Sequence, residues 1–281
     1  MDKKYELTDI TKTVLLGDVE RRTVVLHRIR ALIDFGDVKK GDLGGWVENE
    51  NVLSHEDECW IGDNAEVYRD GIVCDNAQVY NNAKVIAGRV CGNAEVFGYA
   101  TVNSDAWVCD NAKVYDYARI HGNCSICGKS KVYGHTQVYG CSTITGNVEI
   151  YDYAQVYDNA YISGDAKIYD VAKIHDDASI SGITTIHGTT EICGRALLNR
   201  NTDISKSDQF IIIGPLGSRN DYTTFYRNTD GVIMASTGCF GGTLDEFKNA
   251  VKEKHKSNKR RRNNYLQAIK YVKKVFKNIK K

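Results

Sequence analysis

The sequence predicts a mainly β protein. It reads as a left-handed parallel β-helix of about eight triangular coils, with an N-terminal β cap and a small C-terminal α+β module. Three observations carry this. An aliphatic residue recurs every sixth position from Val90, Val96, Val102, Val108, Val114 and Ile120 through to Leu198, nineteen hexads without an insertion. Five more (Ile61, Val67, Val73, Val79 and Val85) precede that run, one residue out of phase with it. A small residue such as Ala94, Ala100 or Cys124 stands two positions before the aliphatic, and Gly, Asp or Asn stands four before it in most copies, as at Gly92, Asp110 and Gly128.

Residues 1–60 read as the cap. Thr13–Leu16 and Thr23–Ile33 are rich in β-formers and flank the polar Gly17-Asp18-Val19-Glu20, while residues 35–47 turn repeatedly on Gly and Asp. A solenoid needs such a cap to cover its exposed core and strand edges.

Residues 61–198 are the solenoid. A period of six is not the 3.6 of an α-helix, and it leaves no room for antiparallel returns. Each hexad is therefore a short strand, with the small and aliphatic side chains inward, followed by a two-residue corner. The corner needs a positive φ, which Gly, Asn and Asp tolerate best. Three sides close one coil, and 24 hexads give eight coils, a prism on the order of 38 Å long at the spacing of paired strands. A left-handed crossover runs against the usual handedness of parallel connections, so the corners need permissive residues throughout.

The register sorts the outward residues onto three faces. One carries Tyr80, Phe97, Tyr115, Tyr133, Tyr151, Tyr169 and His187. This aromatic ladder has two readings: an oligomer interface centred on Tyr115, Tyr133, Tyr151 and Tyr169, or in-register stacking that stabilises adjacent strands. A second face includes His121, Tyr139, Tyr157 and His175. The third carries Cys74, Cys91, Cys109 and Cys127, then Thr145, Ser163 and Ser181. Neighbouring cysteines there fall near disulfide range. Parallel register is a poor geometry for bridging, so the expectation is small-residue filler with free thiols.

Residues 199–251 read as the α+β module. Phe210–Gly214, Thr223–Asn228 and Val232–Thr237 look like antiparallel strands, and Asn228-Thr229-Asp230-Gly231 is a hairpin turn. Thr243-Leu244-Asp245-Glu246 is a capping box that starts a helix. A second helix is expected over 264–279, with Leu266, Ile269, Val272, Val275 and Phe276 on one side. Residues 252–281 form a basic tail, densest at Lys259, Arg260, Arg261 and Arg262. Its thirteen Lys/Arg against Glu253 give a charge of +12, so the first 251 residues sum to −11 and the whole chain to +1. This excludes a globally basic protein but leaves a strongly basic end. That end suits an acidic partner or nucleic acid, or lies solvated against the acidic prism.

No apolar run approaches the roughly 20 residues of a membrane helix. The N-terminus lacks the apolar core of a secretory signal. Nine irregularly spaced cysteines then fit a reducing cytoplasm.

The polar chemistry concentrates in 214–243. Ser218, Arg219, Asn220, Thr223, Thr224, Tyr226 and Arg227 are the candidate ligand residues, with Cys239 and Thr243 beside a helix N-terminus. The predicted ligand is a phosphate-bearing small molecule. The alternative is a tight structural turn whose arginines pair with Asp221 and Asp230. No catalytic residue, metal or cofactor is assigned. Enzymes on this fold are typically acyltransferases with a catalytic His and an extruded loop, but the nineteen uninterrupted hexads supply no such loop. Cys124 points inward and Cys127 outward, so that pair does not chelate.

Leu26-His27-Arg28-Ile29-Arg30-Ala31-Leu32 with Asp34 to Glu48, and the stretch Gly214 to Arg227 followed by Cys239 to Phe247, resemble the two ends of phage- and prophage-encoded hexapeptide-repeat proteins. The resemblance covers the chain up to about residue 255 and leaves out the basic tail. It implies the β-helix and a viral or mobile-element origin, and it assigns no catalytic residue. Three functions follow as expectations. The first is a non-enzymatic homo-oligomer, a trimer for preference, that sequesters a host nucleotide signal in anti-defence. The others are an acyltransferase and a structural adaptor.

Overall fold

A computed structural model describes residues 3–16, 22–217 and 220–278. The chain is a β-solenoid of about nine turns, followed by an antiparallel sheet and two helices. It divides into two compact units, residues 1–152 and 153–281.

The first unit opens with an antiparallel hairpin, Tyr5–Leu16 against Arg22–Ala31, bulged between Leu7 and Thr11. The second strand also pairs antiparallel with Leu43–Val47, which in turn pairs parallel with Glu66 and Val67. Leu53 bridges Val73 in parallel. Parallel pairing therefore begins at Trp46, within a segment that the sequence reading treated as cap. Lys4 anchors the cap and is 1% exposed. Its ammonium donates to the carbonyls of Glu56, Asp57 and Cys59 at 3.0–3.2 Å, so the buried charge is satisfied by backbone dipoles.

The coils follow the predicted rule. Val96, Val102, Val108, Val114 and Ile120 are fully buried, as are Ala94, Ala100, Ala106, Ala112 and Ala118. The corners take positive φ at Asp63, Asp75, Asn81, Asp110 and Asp116 and at the corner glycines. An aspartate corner gains a second stabilisation: the Asp110 carboxylate accepts the Gly128 N–H of the next coil at 2.8 Å. The phase slip before Val90 is a corner one residue short, with Ala87 alone at φ 55°.

On the aromatic face the rings lie flat on one another. Tyr80, Phe97, Tyr115, Tyr133 and Tyr151 stack with centroids 4.8–5.1 Å apart and planes within 9°. Such contacts contribute about 0.5–1.5 kcal/mol each beyond area burial. The cysteine face departs from expectation, because Cys109 and Cys127 form a disulfide. Successive coils hold their Cα atoms 4.8 Å apart, inside the roughly 4.4–6.8 Å span of disulfides. Parallel register is therefore no obstacle to bridging.

In the second unit the hexad rule runs six residues beyond Leu198: Thr202–Ile204 pairs parallel with Thr184–Ile186, and Ile204 is buried. A four-stranded antiparallel sheet follows: Phe210–Leu216, Asp221–Arg227, Ile233–Thr237 and Phe240–Thr243. The last of these was not foreseen. The hairpin at Asn228 forms as predicted, with the Val232 N–H bound to Asn228 Oδ1 at 2.8 Å. Helix α1 spans Leu244–Lys254 and helix α2 spans Lys259–Asn278. Ile269, Val272 and Phe276 pack with Val251 and Phe247 onto Phe225 and Ala235. α2 starts five residues earlier than the apolar pattern indicated, because the Asn258 side chain accepts the Arg261 N–H at 3.0 Å and caps it.

Candidate functional site

The structure disperses the predicted ligand residues. Ser218 and Arg219 lie outside the described residues. Asn220 is an exposed turn residue at φ 49°. Thr223, Thr224 and Tyr226 are fully buried. Thr224 Oγ1 accepts the Leu197 N–H at 2.8 Å, and the Tyr226 hydroxyl lies 3.2 Å from both Asn199 Oδ1 and Ser236 Oγ. Thr224 and Tyr226 join the sheet to the last coil, while Thr223 turns to the opposite face of the strand, where its buried hydroxyl has no hydrogen-bond partner among the described residues; none of the three offers surface to a ligand. The Arg227 guanidinium donates to the carbonyls of Gly231 and Phe276 and lies over the Phe276 ring. It closes the C-terminal end of α2, and it does not pair with Asp230.

The anion site proposed at the start of α1 is already filled. Glu246 accepts from the Thr243 N–H and hydroxyl at 2.7 and 3.0 Å, and Thr243 Oγ1 accepts the Glu246 N–H. The Thr243 N–H bond holds the Glu246 carboxyl below its usual range.

Cys239 lines a cleft. That cleft, of about 270 Å3, lies between the turns of the sheet and the two helices. Leu216, Phe240, Phe247 and Val251 form its apolar wall; Asp221, Lys254, His255 and Tyr265 bring polar groups. His255 follows the last turn of α1 and is 8% exposed, and its ring stacks on Tyr265 with centroids 5.4 Å apart. Burial, reinforced by the positive charges of Lys254 and Arg261, holds its imidazole below the usual range, so it is neutral at pH 7. The Asp221 carboxylate pairs with Arg195 at 3.4 Å. The Tyr265 hydroxyl presses on the chain at Gly217, where an added Cβ would sit 2.3 Å from it. Gly217 also holds φ 74°, so a side chain there would be strained and would have to push the Tyr265 ring aside.

Lys254, His255 and Tyr265 were missed because they belong to the stretch read as a separate tail. The available signal was the capped start of α1, which brings its last turn back over the sheet. The basic patch forms the first turn of α2. Lys259, Arg260 and Arg261 are exposed and Arg262 is half-buried, and no carboxylate pairs with any of the four among the described residues.

Elsewhere, His121 is exposed, stacks on Tyr139 at 5.0 Å, and is held below the usual range by desolvation and then by Arg119. His175 and His187 each have both ring nitrogens against carboxylates, at 2.9–3.7 Å. Among the described residues, three groups place potential metal ligands within 4.8 Å of one another: Cys74–Asp75–Cys91, Cys109–Asp110–Cys127 and Asp158–His175–Asp176. Each has another explanation: Asp75 and Asp110 bind the backbone of the next coil, and His175 pairs with Asp176 and Glu191. Among the described residues, no helix is long and apolar enough to cross a membrane.

No family model matches the chain. A stretch of 108 residues is 29% identical to the uncharacterized acetyltransferase YdcK of Escherichia coli (strain K12). The match covers 38% of this chain and 30% of that protein. The likeness agrees with the hexapeptide-repeat architecture.

Proposed function

We propose that this chain is a binding protein that holds a phosphate-bearing, nucleotide-like molecule in the cleft of its C-terminal module and does not turn it over. The cleft carries the proposal. Its 270 Å3 is just under the ~300–1,000 Å3 of ordinary small-molecule sites, which suits one nucleoside unit. An aromatic and aliphatic wall faces a base, the Asp221 carboxylate accepts an exocyclic amine, and Lys254 faces the phosphate. The charges of Lys254 and Arg261 that depress the imidazole of His255 also favour an anion here. The phage-like ends of the chain give the proposal its biological form, sequestration of a host nucleotide signal in a bacterial cytoplasm. Assembly into a homotrimer through the half-buried aromatic ladder belongs to the same proposal. Calorimetry with a panel of mono-, di- and cyclic nucleotides tests it. Binding by one class, weakened about tenfold by Lys254→Ala, is expected from loss of one charge-assisted contact. Absence of heat with every member would remove it.

A second reading, acyl transfer, is favoured by the likeness to YdcK and by His121. Its exposed imidazole is kept neutral, the state a general base requires. Acetyl-CoA consumption abolished by His121→Ala would establish this reading in place of the first.

A further inference from the structure

The solenoid face bearing Cys74, Cys91, Cys109 and Cys127 plays no part in the ligand cleft. Each cysteine follows the inward aliphatic of its coil, and those aliphatics pair in register: Val73 with Val90, Val90 with Val108, and Val108 with Ile126. The four thiols thus stand on four consecutive rungs. They fall into two pairs. Cys74 Sγ is 2.7 Å from Cys91 Sγ, and Cys109 is bonded to Cys127. In each pair one partner is half-buried, Cys74 or Cys127, and the other is buried, Cys91 or Cys109. That is the arrangement of an attacking thiol backed by a resolving thiol.

We propose that this face is a two-pair dithiol–disulfide switch, oxidised by low-molecular-weight disulfides of the glutathione class. The Cys74 thiolate attacks one sulfur of glutathione disulfide and expels one glutathione thiolate. The Cys91 thiolate then attacks Cys74 Sγ in the mixed disulfide and expels the second. One protein disulfide forms, one glutathione disulfide is reduced to two glutathione molecules, and the two cysteine protons pass to the departing thiolates. Cys127 and Cys109 follow the same course. Each bridge ties one coil to the next, across 17 and 18 residues of chain. Burial and the neighbouring Cys91 push the Cys74 thiol up to about 12, so its exchange rate rises ~10-fold per pH unit through neutral pH.

The test is a redox titration of the full-length chain in glutathione buffers without oxygen, trapped with N-ethylmaleimide and mapped by peptide mass spectrometry. The expected result is two intramolecular links, Cys74–Cys91 and Cys109–Cys127, each reversed by excess reduced glutathione. The oxidised protein should also unfold at higher urea than the reduced one. Cys91→Ser should abolish the first link alone and leave Cys74 as a mixed disulfide with glutathione; Cys141→Ser should leave both links. Complete alkylation of all four thiols at every buffer ratio, with circular dichroism showing a folded chain, would overturn the proposal. So would protection from alkylation that a chelator abolishes, since that would be a metal site.

Discussion

Replacing Gly128 by aspartate should destabilise the solenoid less than replacing it by alanine, although aspartate is larger and charged. Gly128 sits at a corner with φ +71°, and a Cβ built there lies 2.6 Å from the Gly146 nitrogen and 2.7 Å from its carbonyl oxygen. The atoms it meets are backbone and do not swing aside. Alanine therefore carries the left-handed penalty of about 1–2 kcal/mol together with about 1–2 kcal/mol for forcing two coils apart. Aspartate meets the same crowding, but the chain already shows how it is offset. One coil earlier, Asp110 holds φ 59° and its carboxylate takes the Gly128 N–H at 2.8 Å. An aspartate at 128 would bond the Gly146 N–H likewise. It would recover about 0.5–1.5 kcal/mol from the hydrogen bond and tolerate the backbone better than alanine. The predicted costs are about 2–4 kcal/mol for Gly128→Ala and about 1 kcal/mol less for Gly128→Asp. Urea unfolding followed by circular dichroism measures both, with equal slopes required for the comparison. An alanine variant as stable as the aspartate variant would refute the corner argument.

Other substitutions test other parts of the structure. Ile120→Ala removes a fully buried side chain and should cost about 2–5 kcal/mol by chemical unfolding. Arg227→Ala releases the carbonyls of Gly231 and Phe276; amide hydrogen exchange should speed up in the last turn of α2 while the coils of residues 1–152 are unaffected. His255 titrates below its unfolded value, so the unfolded state takes up its proton first. The stability that His255 contributes is complete above about pH 6.5 and lost as pH falls through the lower folded value. The C-terminal module should therefore weaken between pH 7 and 5, and His255→Gln should flatten that dependence; an unchanged pH profile would count against the burial argument.

The solenoid was legible because its rule is local. Six-residue spacing, an inward small residue and a corner residue suffice to place Val96 or Ile120, and the same rule applied once more would have reached Ile204. The ends were harder to read. Trp46 joins the parallel pairing through a strand whose other edge is antiparallel, and no single-strand pattern reports both partners. The candidate site was the least legible part. Thr223, Thr224 and Tyr226 form a dense polar cluster in sequence, yet strand geometry turns Thr224 and Tyr226 onto Leu197 and Asn199 and buries Thr223 on the opposite face. The residues that do line a cleft come from 216, 221, 239, 255 and 265, brought together only by tertiary packing. The cysteine ladder was read in correct register, but its bridging was discounted on parallel geometry that the 4.8 Å rung spacing satisfies.

Native mass spectrometry of the protein purified from the cells that make it tests the binding account most directly, alongside the Lys254→Ala variant. The account predicts a retained small anion of nucleotide mass on the wild-type chain, lost from the variant and released on denaturation. A wild-type chain that carries no small molecule, and takes up none from an added nucleotide pool, would contradict it.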